Sequence, residues 1–226
     1  MEHEPHKKGN KLSDVILGGQ DGLVSILGLL LGLSVATSST KIVIAGGLAT
    51  IIAETISMGA VAYTSKMADK EHYAAERLRE IREIKEFPDI ERQEIVDIYM
   101  TKGFKGKLLD DVVKHVTSNE ELWVDTMMRD ELDLIPVVKR DVYVYSATVG
   151  LSTLIGAMLP LVPYFFLSVH VALYSSLVLA SLILAMVGVY KARLMLGNPL
   201  KSAVQMVLIG MGAAIAGYLI GLIFKV

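Results

Sequence analysis

One carboxylate lies inside the second apolar stretch of the chain, residues 42–63, and a thioether follows it one helical turn later. Glu54 and Met58 are four residues apart, so they lie on one face of a helix. Asp21 occupies the preceding apolar stretch, residues 15–36. Because a charge at mid-bilayer costs at least about 2.5 kcal/mol, such residues usually serve a function.

The three side chains have the chemistry of a metal site. Carboxylate oxygens with a thioether sulfur favour a borderline divalent transition metal over Mg²⁺ or Ca²⁺, which prefer oxygen alone. We therefore predict a metal site formed by Asp21, Glu54 and Met58, whose carboxylates can also exchange protons. Taken singly, each residue has a structural explanation, since methionine commonly fills cores. Asp14, near the predicted membrane interface, is better explained as a cap of the first helix.

The elements that position these residues are predicted to be membrane-spanning helices. Hydrophobic residues make up 53% of the 226 residues, and the mean hydropathy is +0.50. Residues 65–141 hold 19 of the 24 acidic and 14 of the 22 basic residues. A helix needs roughly 20 apolar residues to cross a bilayer. Five stretches meet this length: 15–36, 42–63, 142–159, 167–190 and 203–224.

We predict an all-α membrane protein with five transmembrane helices and a helical insert between the second and third. The parts are a tail with transmembrane helices 1 and 2 (1–64), the insert (65–141), and transmembrane helices 3 to 5 (142–226). Basic residues precede the first span and follow the fourth, whereas the first short loop holds only Lys41. The positive-inside rule therefore places the N-terminus and the insert in the cytoplasm.

Local signals predict the helices of the insert. The second span is expected to continue without interruption, followed by helices at 90–100 and 107–116. A last helix is expected to begin with Thr117 or Ser118 as its N-cap. Proline is expected to end three helices, at Pro88, at Pro136 and at the pair Pro160 and Pro163.

The composition excludes several classes of site. The chain has no cysteine, so disulfides and thiolate metal sites are excluded. Its net charge of −2 argues against nucleic acid as a partner. Three glycine pairs with a spacing of four allow close helix approach, either within one chain or at a dimer seam: Gly18/Gly22, Gly28/Gly32 and Gly217/Gly221.

Acidic residues of the insert also repeat at helical spacing. Glu76, Glu80 and Glu83 form one stripe, and Glu91 and Glu94 form another. Carboxylates on shared helix faces commonly build metal sites between helices. On spacing alone, a solvated face paired with neighbouring arginines and lysines is the favoured interpretation. The sequence lacks the Glu-x-x-His pairs typical of di-iron oxidases.

Five segments in order resemble the vacuolar iron transporter family, from about Ser13 to the end of the chain. They are "DGLVSILGLLLGLS", "AETISMGAVAYTSK", "ERLREIREIKEFPDIERQEIVDIY", "WVDTMMRDELDL" and "PLVPYFF". The resemblance implies a five-span homodimer with the path between its subunits, lined by Asp21 and Met58. It also implies a cytoplasmic domain that binds metal, and its motif matches Glu80, Glu83, Glu91, Glu94, Met127 and Glu131. Glu76 and Met128 match that motif less closely.

The function expected from these features is export of Fe²⁺ from the cytosol in exchange for protons, not an enzymatic reaction. Mn²⁺ or another divalent ion such as Zn²⁺ is the alternative substrate, because these ligands separate Fe²⁺ from Mn²⁺ poorly. A membrane-anchored iron oxidase or store is the alternative of another class. No tightly bound cofactor is expected. A plasma membrane is expected for a microbial protein, and a vacuolar membrane for a eukaryotic one.

Overall fold

The computed structural model describes residues 6–37 and 39–224, with side chains from residue 12 onward. These residues form α-helices and no strands. Five of the helices are long and apolar enough to cross a membrane, which confirms the predicted all-α class and its five spans. The eight α-helices are α1 (His6–Ala36), α2 (Thr40–Glu86), α3 (Pro88–Thr101), α4 (Gly106–Thr117), α5 (Glu120–Thr126), α6 (Lys139–Leu161), α7 (Val169–Leu194) and α8 (Pro199–Ile223).

The helices group into two compact units. One contains Met1–Tyr63 and Tyr143–Val226, and the other contains Thr64–Val142. The first unit holds the apolar part of α2, and the second holds its charged remainder. The division separates hydrocarbon-rich from charged sequence.

α1 is the central helix of the first unit. Its Leu23 and Leu27 pack in a cluster with residues of α7 and α8, such as Leu184. Ile26 and Leu30 belong to a second cluster with residues of α2, α6 and α7. Apolar residues on two sides of α1 explain why it is surrounded by the other four long helices.

The spaced glycines allow α1 to lie close to its neighbours in the same chain. A Cβ atom at Gly28 would contact the backbone of Ala213 in α8, and one at Gly217 would collide with the backbone of Gly28. Gly18 and Gly22 lie similarly close to the backbone of α6. Of the two roles considered for these glycine pairs, the structure therefore shows packing within one chain.

α6 ends between Pro160 and Pro163, the two prolines that were expected to stop it. The helix continues to Leu161, and a 3₁₀ turn covers Val162–Phe165. Ser176 of α7 donates a hydrogen bond of 2.6 Å to the carbonyl oxygen of Pro160. Proline has no N–H to donate to the carbonyl of Gly156, and the α-helix ends one residue after it.

The second unit has its own hydrophobic core. The uninterrupted course of α2 up to the residue before Phe87 agrees with the sequence prediction, and α3 and α4 match the predicted helices within two residues. Trp123, Met127 and Met128 are buried in the core with aliphatic residues of α2, α3 and α4. The insert therefore folds around an apolar interior despite its high charge.

Two expectations about the last helix of the insert are wrong. Its N-cap is Asn119 rather than Thr117 or Ser118, and the Asn119 side chain accepts hydrogen bonds from the backbone of Glu121 and Leu122. α5 passes into a single π-helical turn, Met127–Glu131, and the helical segment ends there. Its end precedes Pro136 because Asp133 adopts a left-handed conformation with φ of 52°.

Candidate functional site

Asp21 lies at a cavity on one side of α1. The cavity has a volume of about 220 Å³, and Ile209 of α8 forms part of its wall. Leu17, Gln20 and Val24 of α1 form the rest, so Gln20 and Asp21 are the polar side chains that line it. The carboxylate thus borders open space within an otherwise apolar helix pair.

Glu54 of α2 lies close to Asp21 of α1. Its carboxylate approaches the Ser25 hydroxyl, and it is near enough to Asp21 for the two charges to interact. The Ser25 hydroxyl itself donates a 2.8 Å hydrogen bond to the carbonyl oxygen of Asp21. The Oε2 atom of Glu54 is buried without a hydrogen-bond partner among the described residues.

Met58 lies one turn after Glu54, on the edge of the packed side of α2. Ile51 and Ala62 are buried on that side, whereas Ser57 and Val61 are exposed on the other. Glu54 and Met58 are half-buried between them. We name Asp21, Glu54 and Met58 the span site, and the structure brings the first two together.

In the second unit, the junction of α2 and α3 brings two glutamate stripes together. Phe87 alone separates the helices; its amide donates to the carbonyl of Glu83, and its carbonyl accepts from the amide of Glu91. Pro88 begins α3, a position where its missing N–H costs nothing. Because the chain turns within one residue, side chains on the last turns of α2 meet those on the first turns of α3.

Five glutamates line one cavity at this junction, which we name the acidic cleft. Its volume is about 240 Å³. Arg79 and the apolar residues Phe87, Ile90 and Leu132 form the remainder of its wall. The five glutamates were all predicted as ligands: Glu80, Glu83, Glu91, Glu94 and Glu131.

Glu80 and Glu91 are the most buried members of the acidic cleft. Their residues are only 3% and 6% exposed, and the Oε2 atom of each is buried without a hydrogen-bond partner in the described part of the chain. Burial, followed by the charge of Glu131, raises the pKa of Glu80 from 4.5 to about 7. Burial, followed by the charge of Glu94, raises the pKa of Glu91 to about 7. Both carboxyl groups therefore change charge near neutral pH.

Glu131 reaches the cleft from the π-helical turn. The wider turn is closed by a hydrogen bond of 3.2 Å from the Leu132 amide to the Met127 carbonyl. Burial, and then the charge of Glu94, raises the pKa of the Glu131 carboxyl above its ordinary value. π-helical turns are frequent at functional sites, and this turn carries Glu131 at the cavity that the other carboxylates line.

The structure does not bring all the predicted ligands of the insert to the acidic cleft. Met127 is fully buried in the core and is not among the residues that line the acidic cleft. Within the described ranges, no three carboxylate or histidine side chains stand close enough together to hold a metal ion. A cation bound in the cleft would therefore require these side chains to move towards one another.

Two polar contacts of these sites were not predicted as parts of them. Arg79 appears in the sequence only as a general partner of the glutamate stripe, yet it lines the acidic cleft. Ser25 could have been noticed as a polar residue one turn after Asp21 within an apolar helix.

Comparison with known proteins gives a consistent result over nearly the whole chain. Residues 12–222 match the model of the VIT family. Vacuolar iron transporter 1 of Oryza sativa subsp. japonica is 35% identical, over 96% of this chain and 87% of that protein. Protein CCC1 of Saccharomyces cerevisiae is 31% identical over 92% of this chain and 67% of its own length. Vacuolar iron transporter of Plasmodium berghei is 30% identical over 99% of this chain and 86% of its own length.

Proposed function

Because the chain belongs to the VIT family, we propose that it is a multi-pass membrane transporter that moves Fe²⁺ out of the cytosol in exchange for protons. The five apolar helices provide the membrane part. The relatives are named as transporters, which supports a transport function over an enzymatic one.

The unpartnered carboxylate oxygens carry this proposal. Five buried side-chain polar atoms lack a hydrogen-bond partner among the described residues, and three of them belong to Glu54, Glu80 and Glu91. A buried polar atom without a partner is costly, more so when it is charged. Three of the predicted ligands carry such an unpartnered oxygen. A bound cation would supply the partner that each of them lacks.

The two sites suit two stages of transport. The acidic cleft captures Fe²⁺ on the cytosolic side, where five carboxylates offer hard oxygen ligands near the protein surface. The span site then takes the ion within the membrane, where Met58 adds a sulfur ligand that favours a transition metal over Mg²⁺.

Protons enter the cycle at the same carboxylates. Asp21 and Glu54 can hold a metal ion when ionised and protons when neutral, so each species displaces the other. An acidic far side would protonate them and release Fe²⁺ there. Competition for shared ligands is the physical basis of the proposed exchange.

A second copy of the chain would complete the path. Glu54 and Met58 lie at the edge between the buried and exposed sides of α2, and Ser57 and Val61 are exposed on the second side. A partner packed on that exposed side would enclose both ligands and exclude lipid. The described glycine pairs are engaged within the chain, so a homodimer would use this surface of α2 instead.

The names of two relatives support a choice of membrane and of ion. The rice and Plasmodium proteins are both called vacuolar iron transporters. These names favour a vacuolar membrane over a plasma membrane for this chain. Mn²⁺ remains the alternative substrate, and competition by Mn²⁺ during Fe²⁺ transport would measure the preference.

The proposal is tested by Fe²⁺ flux through the purified protein in liposomes under anaerobic conditions. Asp21→Asn and Glu54→Gln keep the shape of each side chain and remove its ability to ionise, so each is expected to abolish flux. Ser181→Ala changes a polar residue of α7 outside both sites and is expected to retain it. Flux at the wild-type rate in both carboxylate variants would refute the span site.

A further inference from the structure

Arg79 is the basic member of the acidic cleft in the described structure. Its Nε lies 3.1 Å from Oε1 of Glu83, and its Nη1 lies 3.4 Å from Oε2 of Glu76. Glu83 lines the cleft, whereas Glu76 is not among the lining residues. The guanidinium group therefore joins one predicted ligand to a carboxylate outside the ligand set.

This ion pair opposes metal binding at Glu83. An arginine side chain stays protonated at any pH the protein meets, so the pair cannot be broken by loss of its proton. A metal ion that approaches Glu83 must compete with the guanidinium for the charge of this carboxylate, whose Oε1 is held by Arg79. The positive charge also repels a divalent cation inside the cleft.

We infer that Arg79 is an internal counter-ion that competes with Fe²⁺ for Glu83 and sets the affinity of the acidic cleft. This inference rests on the proposed capture of Fe²⁺ by the cleft. Glu76 contributes to this competition, because it can remain paired with the Arg79 guanidinium when Glu83 turns towards the ion. When Fe²⁺ leaves, the pair of Arg79 and Glu83 re-forms and takes the place of the metal.

Such a competitor is useful in a transporter. Several carboxylates drawn together around one divalent cation would hold it strongly, and a tightly held ion would leave slowly. The guanidinium of Arg79 weakens the binding of Fe²⁺ without removing a ligand. The affinity of the cleft then depends on the competition of Arg79 and Fe²⁺ for Glu83 as well as on the carboxylates.

The test is an anaerobic calorimetric titration of the full-length protein with Fe²⁺. All variants carry Asp21→Asn so that the heat reports on the acidic cleft rather than the span site. Arg79→Gln is expected to bind Fe²⁺ about fivefold more tightly, in line with the modest strength of a partly exposed ion pair. Arg79→Lys, which keeps the charge but loses the Nε contact with Glu83, is expected to fall between Arg79→Gln and the parent.

Two controls separate direct competition from a general effect of charge. Arg82 lies beside Glu83 on the same helix and is exposed, with no ion pair to another described residue. Arg82→Gln removes the same charge and is expected to change the affinity less than about twofold, since an exposed charge without a partner is well screened. When Glu83 is replaced by Gln, the effect of Arg79→Gln is expected to disappear.

The outcomes distinguish the inference from the proposed function. Fe²⁺ binding that is unchanged or weaker in Arg79→Gln would overturn the inference while leaving capture by the cleft intact. An equal gain in Arg82→Gln, or a gain that persists with Glu83→Gln, would also overturn it. Absence of Fe²⁺ binding in the parent protein would refute capture itself, and the inference would fall with it.

Discussion

Glu80 is destabilising in the metal-free insert whenever it is ionised. Its pKa is 4.5 ordinarily and about 7 in the folded protein, mainly because of burial. Between these values the folded state binds more protons than the unfolded state, so stability falls as pH rises through this interval and stays low above it. Glu91 contributes in the same direction. In the proposed capture of Fe²⁺, the bound cation would offset this cost by supplying the missing partner.

Glu80→Gln is therefore expected to raise the unfolding temperature of the metal-free insert at pH 8 by roughly 5 °C, since the amide carries no charge to bury. At pH 4 the difference is expected to be small. The fluorescence of Trp123 reports the unfolding temperature of the insert, because this core residue is the only tryptophan of the chain. Added Fe²⁺ is expected to stabilise the wild type more than the variant.

Glu86→Gln is the matched control, since Glu86 is exposed at the end of the same helix. It is expected to leave the unfolding temperature unchanged at both pH values. A lower unfolding temperature for Glu80→Gln at pH 8 would contradict the electrostatic account of Glu80.

The affinity of the cleft for Fe²⁺ is also expected to depend on pH near neutrality. Protons and Fe²⁺ compete for Glu80 and Glu91, whose pKa values are both about 7. Lowering the pH from 8 to 6 is expected to weaken binding about tenfold for each group that must lose its proton. Calorimetry in buffers of different ionisation enthalpy would also detect the released protons. Equal affinity at both pH values would exclude these two groups as ligands.

At the scale of elements, the close approach of α1 and α8 depends on glycine. A Cβ atom at Gly217 would collide with the backbone of Gly28, whereas one at Gly212 of the same helix would meet nothing within 4 Å. Gly217→Ala is expected to lower the thermal stability of the protein in detergent by several degrees, because a backbone cannot yield as a flexible side chain can. Gly212→Ala is expected to be neutral. Equal stability of the two variants would contradict this packing.

Helices of this chain were predictable where local signals act alone. Uninterrupted apolar and helix-forming sequence specifies α2 as far as the turn at Pro88, and five apolar stretches specify the spans. The last helix of the insert was less predictable, since three adjacent residues can all cap a helix and only the structure shows that Asn119 accepts the capping hydrogen bonds. The π turn at Met127–Glu131 has no sequence signal that we recognise.

The candidate sites were predictable to a similar extent. Spacing along one helix predicted that Glu54 and Met58 share a face, and chemistry predicted that Asp21 belongs with Glu54. The acidic cleft needed the family resemblance, because on spacing alone its glutamates resemble a solvated face. The role of Arg79 required the fold, since only the turn between α2 and α3 places it beside the other carboxylates of the cleft.

At the scale of the whole molecule, the sequence separates two tasks between two units. Charged residues are concentrated in Thr64–Val142, and the remaining unit is composed of the chain's two apolar ends. Capture of an ion needs many ionised ligands, whereas a path through a membrane tolerates few charges. The proposed cycle assigns the first task to the acidic cleft and the second to the span site.

The most direct test of this account is simultaneous measurement of Fe²⁺ uptake and internal pH in anaerobic liposomes that contain the full-length protein and an acidic interior. We expect Fe²⁺ to enter while the interior becomes more alkaline, and we expect both signals to disappear together in Asp21→Asn. Fe²⁺ entry without a change of internal pH would contradict exchange for protons. Fe²⁺ bound to the protein with no flux under either direction of the pH gradient would contradict transport itself.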